Sequence, residues 1–300
     1  MTVISCDNLT KTFGGKRAVE NVSLHIEENT ITGVIGRNAA GKTTLLQMIA
    51  GLKRPKSGTL TVFGEQPFNN LFVSYNSIFI DDNMCFPSVM NLAEIIQTAE
   101  SFYPNWDQEI ARRLLSYFSF DLTNRHGDLS KGKISTFHAV IGLASRCPLT
   151  IFDEPTTGMD ESARRDFYKA LLKDYLEVPR TILISSHHLS EIEDLLENLL
   201  LIDQGKVHLH QSIDEMKQYA LRVTGDVSVI DELVKEKSVL HEESSIPNHR
   251  TIIIRNDSTE QEQAEWITRG LDVTFATPGE VCVYVTKQEN GGIDDVYRRT

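Results

Sequence analysis

Three hundred residues with 42 acidic and 30 basic side chains carry a formal charge of −12, which argues against a chain whose business is coating nucleic acid, because phosphate contact needs a surplus of Lys and Arg. The apolar share of 40% suffices for a packed core, and the length favours two domains, or one large domain with a small companion. No run approaches the roughly 18 uninterrupted apolar residues of a membrane span, and the opening MTVISCDNLTKTFGG lacks both the charged and the apolar region of a signal peptide. The expected location is therefore intracellular.

In chain order, short β-rich runs alternate with helical patterns up to about residue 218. TITGVIG precedes a helix from Lys42, LTIFDEP one from Asp160, and TILISSH one from Leu189. That alternation predicts parallel strands in an α/β sheet. From about Pro87 to Ala144 the pattern is nearly all helical, with segments starting near Ser88, Asp107 and Ser130, and reads as a helical insertion between strands.

After Met216 the character changes. Tyr219 to Thr300 holds nine basic and fifteen acidic residues, half of the net charge. Its runs read β (ALRVT), α (VSVIDELVKE), β (SVLHEE), β (TIIIRN), α (TEQEQAEWITRG), β (LDVTFA) and β (EVCVYVTK). The order predicts a small α+β domain over 218–300, a split βαβ sandwich resembling a ferredoxin-like domain, beside a larger domain over 1–217.

Gly36-Arg37-Asn38-Ala39-Ala40-Gly41-Lys42-Thr43-Thr44 matches G-x-x-x-x-G-K-S/T between the apolar run Ile31 to Ile35 and an amphipathic helix with Leu45, Leu46, Met48 and Ile49. The bare pattern arises by chance in about one chain in a hundred of this length, and its placement at a strand-to-helix turn lowers that further. Such a turn aims successive backbone N–H groups and a helix N-terminus at a β-phosphate; Lys42 reaches β- and γ-oxygens and the Thr43 hydroxyl binds Mg²⁺. A lysine at a helix start opposes the helix dipole unless an anion is present.

Leu149 to Phe152 is an apolar strand that ends in Asp153-Glu154-Pro155. Consecutive acids at a strand's C-terminal edge point to different groups, so Asp153 is expected at the metal and Glu154 at an attacking water as general base. The cysteines Cys6, Cys85, Cys147 and Cys282 form no C-x-x-C pair and are expected to be reduced and mostly buried, without a zinc site or disulfide framework. His208 and His210 alternate along a strand with no third ligand apparent, and are expected to be exposed strand residues.

In this order the motifs resemble those of the ABC-type ATPases, the nucleotide-binding subunits of ABC transporters. Leu129-Ser130-Lys131-Gly132-Lys133 occupies the place of that family's LSGGQ signature, Gly158-Met159-Asp160 resembles its D-loop, and His187 its switch histidine. The resemblance covers residues 1 to about 215 and implies a P-loop NTPase core with a helical signature subdomain, binding ATP with Mg²⁺. Phe102 to Asp107 further resembles a bacterial subgroup of exporter ATPases often encoded with GntR-type repressors.

Carried over residue by residue, the resemblance places Phe13 on adenine and His187 at the γ-phosphate. It places Ser130 and Gly132 on the γ-phosphate of ATP bound to the opposite subunit, so a dimer with a second ABC ATPase, identical or not, is implied. Ser130 also reads as a plain helix cap, and Phe13 as a buried strand residue. Transmembrane permease subunits are implied partners, with the chain at the inner face of the membrane through them.

Two positions depart from the family pattern. Ala39 stands where the family has Gly, at a cost of about 1 kcal/mol if φ is positive. No Gln occurs at the expected Q-loop, Ile78 to Asn83, where Asp82 is the best match for a metal contact. These departures leave open a nucleotide-gated regulatory subunit with weak or no hydrolysis.

Overall fold

The computed structural model describes residues 1–235, 237–246 and 248–286. The chain divides into two compact units, one over Met1–His210 and one from Gln211 onward.

The first unit opens with β1 (Thr2–Phe13), β2 (Lys16–Glu27) and β3 (Ile31–Ile35), followed by α1 (Lys42–Ile49), β4 (Ser57–Val62), α2 (Leu71–Tyr75) and β5 (Ser77–Ile80). The helical insertion holds α3 (Leu92–Phe102), α4 (Gln108–Tyr117) and α5 (Lys131–Ser145); β6 (Leu149–Asp153), α6 (Glu161–Glu177), β7 (Thr181–Ser186), β8 (Asn198–Asp203) and β9 (Lys206–Ser212) complete the order. Two sheets result: β2-β1-β4, whose pairs are antiparallel, and β5-β6-β7-β3-β8-β9, in which β3 runs parallel to both β7 and β8. β3, β6 and β7 are buried along their whole length, as continuous apolar runs in a sheet covered on both faces require.

α1 is the joint between the sheets. Its Leu45, Leu46, Met48 and Ile49 share one core cluster with Ile4, Leu24 and Val62 of the antiparallel sheet and Val34, Ile151, Leu183 and Leu200 of the parallel one. At about 1.5–3 kcal/mol for each large apolar side chain removed from water, that helix is anchored from both sides. The phosphate-loop turn at its start therefore sits on a rigid support.

Helix starts follow capping chemistry. Asp107, Ser130 and Asp160 cap α4, α5 and α6, as expected from the sequence. The first inserted helix begins at Leu92 and not near Ser88, because Asn91 and Glu94 form a reciprocal capping box there. After β7 the expected helix is replaced by two 3₁₀ turns, Leu189–Glu191 and Glu193–Leu195, which bury Leu189, Ile192 and Leu196. α5 is buried on every side from Ser135 to Ser145; Gly142 makes this possible, since a Cβ there would lie 2.5 Å from the Phe152 ring.

The second unit holds α7 (Ile213–Lys217), β10 (Ala220–Asp226), α8 (Val227–Val234), β11 (Val239–Ile246), β12 (His249–Arg255), α9 (Glu260–Thr268), β13 (Asp272–Phe275) and α10 (Pro278–Val285). The sheet order is β11-β12-β10-β13 with every pair antiparallel, the split βαβ arrangement expected from the run order. Leu221, Val223, Ile252 and Ile254 meet Ile230, Leu233 and Trp266 in its core. The run EVCVYV, expected as a strand, is helical. Thr277 and Glu280 form a capping box with Pro278 in the first turn, and these local start signals override the β propensity of the valines. Val281 is consequently buried while Val283 is exposed.

Candidate nucleotide site

The phosphate-loop turn joins β3 to α1 by backbone contacts that exclude side chains. A Cβ on Gly36 would lie 2.1 Å from the Ile202 carbonyl oxygen, and one on Gly41 2.3 Å from that of Ala18. Gly41 caps α1 in the left-handed region, φ 109°, with no side-chain bond to the helix N–H groups, so the first turn presents open donors to an anion. Ala39 has φ 65°, so the positive φ at this departure is real and carries its cost of about 1 kcal/mol.

Lys42 is buried, and its Nζ lies 2.7 Å from the Gly36 carbonyl, 3.3 Å from that of Arg37 and 3.1 Å from Glu154 Oε1. Asn38 to Thr44 line a cleft of about 480 Å³ together with Glu154 and with Lys16, Arg17 and Ala18 of the β1–β2 hairpin. No motif in the sequence pointed to these hairpin residues.

At the end of β6 the two acids diverge as expected. Asp153 is buried and accepts a hydrogen bond from Ser185 Oγ at 2.6 Å and one from the Thr43 hydroxyl. Burial pushes its carboxyl above the usual range, against both hydrogen bonds, and the Glu154 and Asp81 charges act in the same upward direction. The expected metal pair Thr43 and Asp153 is thus brought together.

Glu154 turns the chain with φ 48° and donates its N–H to Ser185 Oγ at 2.9 Å. Its Oε1 faces Lys42 at 3.1 Å and its Oε2 faces His187 Nδ1 at 3.0 Å. Ser185 therefore supports both acids, a role that no motif signalled. Beside them, Ile80 pairs with Phe152, so Asp81 follows level with Asp153. It is Asp81 whose charge acts on Asp153, whereas the exposed Asp82 acts on His138 and takes a hydrogen bond from Asn83 Nδ2 at 3.0 Å.

Ser130 and Gly132 stand apart from this cleft. Ser130 Oγ accepts from the Lys133 N–H at 3.4 Å, and Gly132 packs so tightly that a Cβ would lie 2.4 Å from the Gly158 carbonyl oxygen. Ser135 Oγ donates to the Thr157 carbonyl at 2.6 Å, which binds the start of α5 to the turn before Asp160. Lys133 Nζ bonds the Phe118 carbonyl and lies 4.8 Å over the Phe120 ring. Ser130 and Gly132 line a second cleft of about 580 Å³ with Met159 and Asp160, and it shares no residue with the first.

Phe13 is neither a buried strand residue nor part of the phosphate cleft: its ring is exposed between Lys11 Nζ at 5.3 Å and Lys53 Nζ at 4.9 Å. His208 is exposed as expected, but His210 is half-buried, and burial lowers its pKa. Cys6, Cys147 and Cys282 are buried and Cys85 is exposed. Among the described residues no group of three or more His, Cys, Asp or Glu is placed to hold a metal, and no helix is long and apolar enough to cross a membrane.

A family profile described as ABC transporter matches residues 19–157. The ABC transporter ATP-binding protein YtrB of Bacillus subtilis (strain 168) is 28% identical over 221 residues, covering 74% of this chain and 76% of that protein. The Nod factor export ATP-binding protein I of Cupriavidus metallidurans is 30% identical over 214 residues, covering 68% of this chain and 69% of that protein. Among solved structures, the dimeric post-hydrolysis state of the ATP-binding cassette MJ0796 with ADP and Pi shares the fold with a TM-score of 0.60 at 19% identity, covering 70% of this chain and 98% of that one.

Proposed function

This chain belongs to the ABC transporter ATP-binding family, and from that premise we propose that it is the ATP-hydrolysing subunit of a bacterial ABC exporter that drives separately encoded transmembrane subunits. The observation that carries the reading is the continuous line Lys42, Glu154 and His187, at 3.1 and 3.0 Å, with Glu154 lining both the phosphate-loop cleft and the neighbouring one that His187 lines. Lys42 takes the charge of the transferring phosphoryl. Glu154, released from Lys42 by the incoming phosphates, orients water and accepts its proton, and His187 holds the other carboxylate oxygen in place.

Thr43 and Asp153 fit a hard oxygen-seeking cation, since an exposed hydroxyl there faces a buried carboxylate. These two residues would hold Mg²⁺, which neutralises phosphate charge when bound. Ser130 and Gly132, which line a cleft separate from that of the phosphate loop in their own chain, complete the site of a second copy or a related ATPase. The finer placement in the subgroup encoded with GntR-type repressors rests on Phe102 to Asp107 alone. Peripheral attachment at the inner membrane face follows from the proposed partners.

Glu154→Gln tests the reading: it is expected to keep ATP binding, lose turnover by about a hundredfold or more, and elute as a dimer with Mg-ATP in size-exclusion chromatography. Unchanged turnover, or a monomer at every ATP concentration, refutes it. A second reading, a nucleotide-gated regulatory subunit, is favoured by the positive φ of Ala39 and the absence of Gln from Ile78 to Asn83; steady-state phosphate release from the purified chain separates the two. We assign residues 218–300 an accessory role in dimer contacts or regulation. A chain ending at residue 217 should stay soluble and bind ATP with near-normal affinity, and insolubility or lost binding defeats that assignment.

A further inference from the structure

A histidine pair, one ring buried and the other half-buried, stands outside the cleft. His138, in α5, is 1% exposed, and its Nε2 lies 2.8 Å from the Nε2 of His126. The rings stack at 8° with centroids 5.0 Å apart, and Phe86 meets both edge-on. On its other side His138 Nδ1 lies 3.1 Å from the Asp81 carbonyl oxygen.

The proton positions follow from donor and acceptor chemistry. A carbonyl only accepts, so His138 Nδ1 carries the hydrogen; its Nε2 then accepts, and His126 donates from Nε2. Burial pushes His138 down to about 4 and lowers His126 as well, so both rings are neutral near pH 7 and this one arrangement stands. A buried polar pair costs more than aliphatic side chains filling the same space. What the pair contributes is placement: it specifies which atoms meet.

The two ends of the pair reach parts of the chain with chemical work to do. Asp81 leaves β5 beside Asp153 and acts on its charge. His126 opens the 3₁₀ turn His126–Asp128, which leads into Ser130. The geometry points to His138 and His126 as positioning residues for the reaction at Glu154: their hydrogen-bonded pair ties the acidic edge at Asp81 to the approach to Ser130, so that the two move as one body. This rests on the hydrolytic reading above.

His126→Phe keeps the ring and removes the donor, while His138→Asn keeps an N–H for the Asp81 carbonyl and loses the bond to His126. Each variant should lower ATP turnover about five- to tenfold with KM for ATP within about twofold, and the double variant should be no slower than either single one. In His126→Phe, where no donor to Nε2 holds the His138 hydrogen on Nδ1, amide exchange at Asn83 and Met84, whose N–H groups bond to Asp81, should quicken about tenfold without nucleotide; in His138→Asn it should stay near the native rate. Native turnover in both single variants, or turnover losses that multiply in the double variant, overturns the inference. A native chain without ATP turnover defeats the hydrolytic reading instead, and unchanged exchange in His126→Phe then overturns the tie on its own.

Discussion

Helices α1 and α5 both begin with lysine and carry no acidic residue in the first turn, against the preference set by the helix dipole, yet they resolve that conflict in opposite ways. At α1 the cap is a left-handed glycine with no side-chain bond, and the buried lysine ammonium rests on loop carbonyls and on Glu154. At α5 an ordinary serine cap satisfies a backbone donor, Lys131 is exposed, and Lys133 turns away to the Phe118 carbonyl. A helix start is ready for phosphate when its donors are left open by backbone shape and a cation is held in place beside them. A self-capped start is complete within its own chain, and in the proposed dimer it acts only on a phosphate brought to it.

Lys42→Ala is the strongest test of that contrast. Removing the buried cation should weaken ATP binding about tenfold or more, measured by calorimetry, while the chain stays folded, since the Lys42 bonds run to its own loop and to Glu154. Unaltered affinity would erase the distinction between the two helix starts.

Ser130→Ala should act on stability first. Loss of the cap costs about 1 kcal/mol and lowers the melting temperature by about 2–4 °C in a unit of this size. ATP affinity of the isolated chain should not change, because Ser130 and the phosphate loop line separate clefts. A weaker ATP affinity in a monomer would show that the two regions form one site.

Ala39→Gly should have the smallest effect. Glycine adopts the φ of 65° seen at this position without strain, and the relief is partly offset by the extra freedom glycine has in the unfolded chain. ATP affinity should rise by about two- to fivefold, the equivalent of up to about 1 kcal/mol. A weaker affinity would show that the alanine is well suited to its turn.

Much of the candidate site was legible in the sequence because its signals are local. The glycine and lysine spacing of the phosphate loop, the two acids closing an apolar strand, and the caps Asp107, Ser130 and Asp160 each act within a few residues of themselves. Local chemistry also explains the misread run EVCVYV: its start signals, Thr277, Pro278 and Glu280, were present in the sequence but were outweighed by the alternation of valines.

Other features have no local signature. Asp81 is distinguished from Asp82 by the register of β5 on β6, which sets one residue level with Asp153 and the next outside it. Ser185 supports Asp153 and Glu154 because β7 lies beside β6, and His126 meets His138 only once α5 is buried. Residue order along the chain established the chemistry of the loop, the acids and the caps, since backbone conformation and capping bonds are decided among near neighbours. The meeting of Lys42, Glu154 and His187 was decided by three parallel strands ending side by side, because side chains far apart in sequence converge only where sheet pairing and packing bring their backbones together.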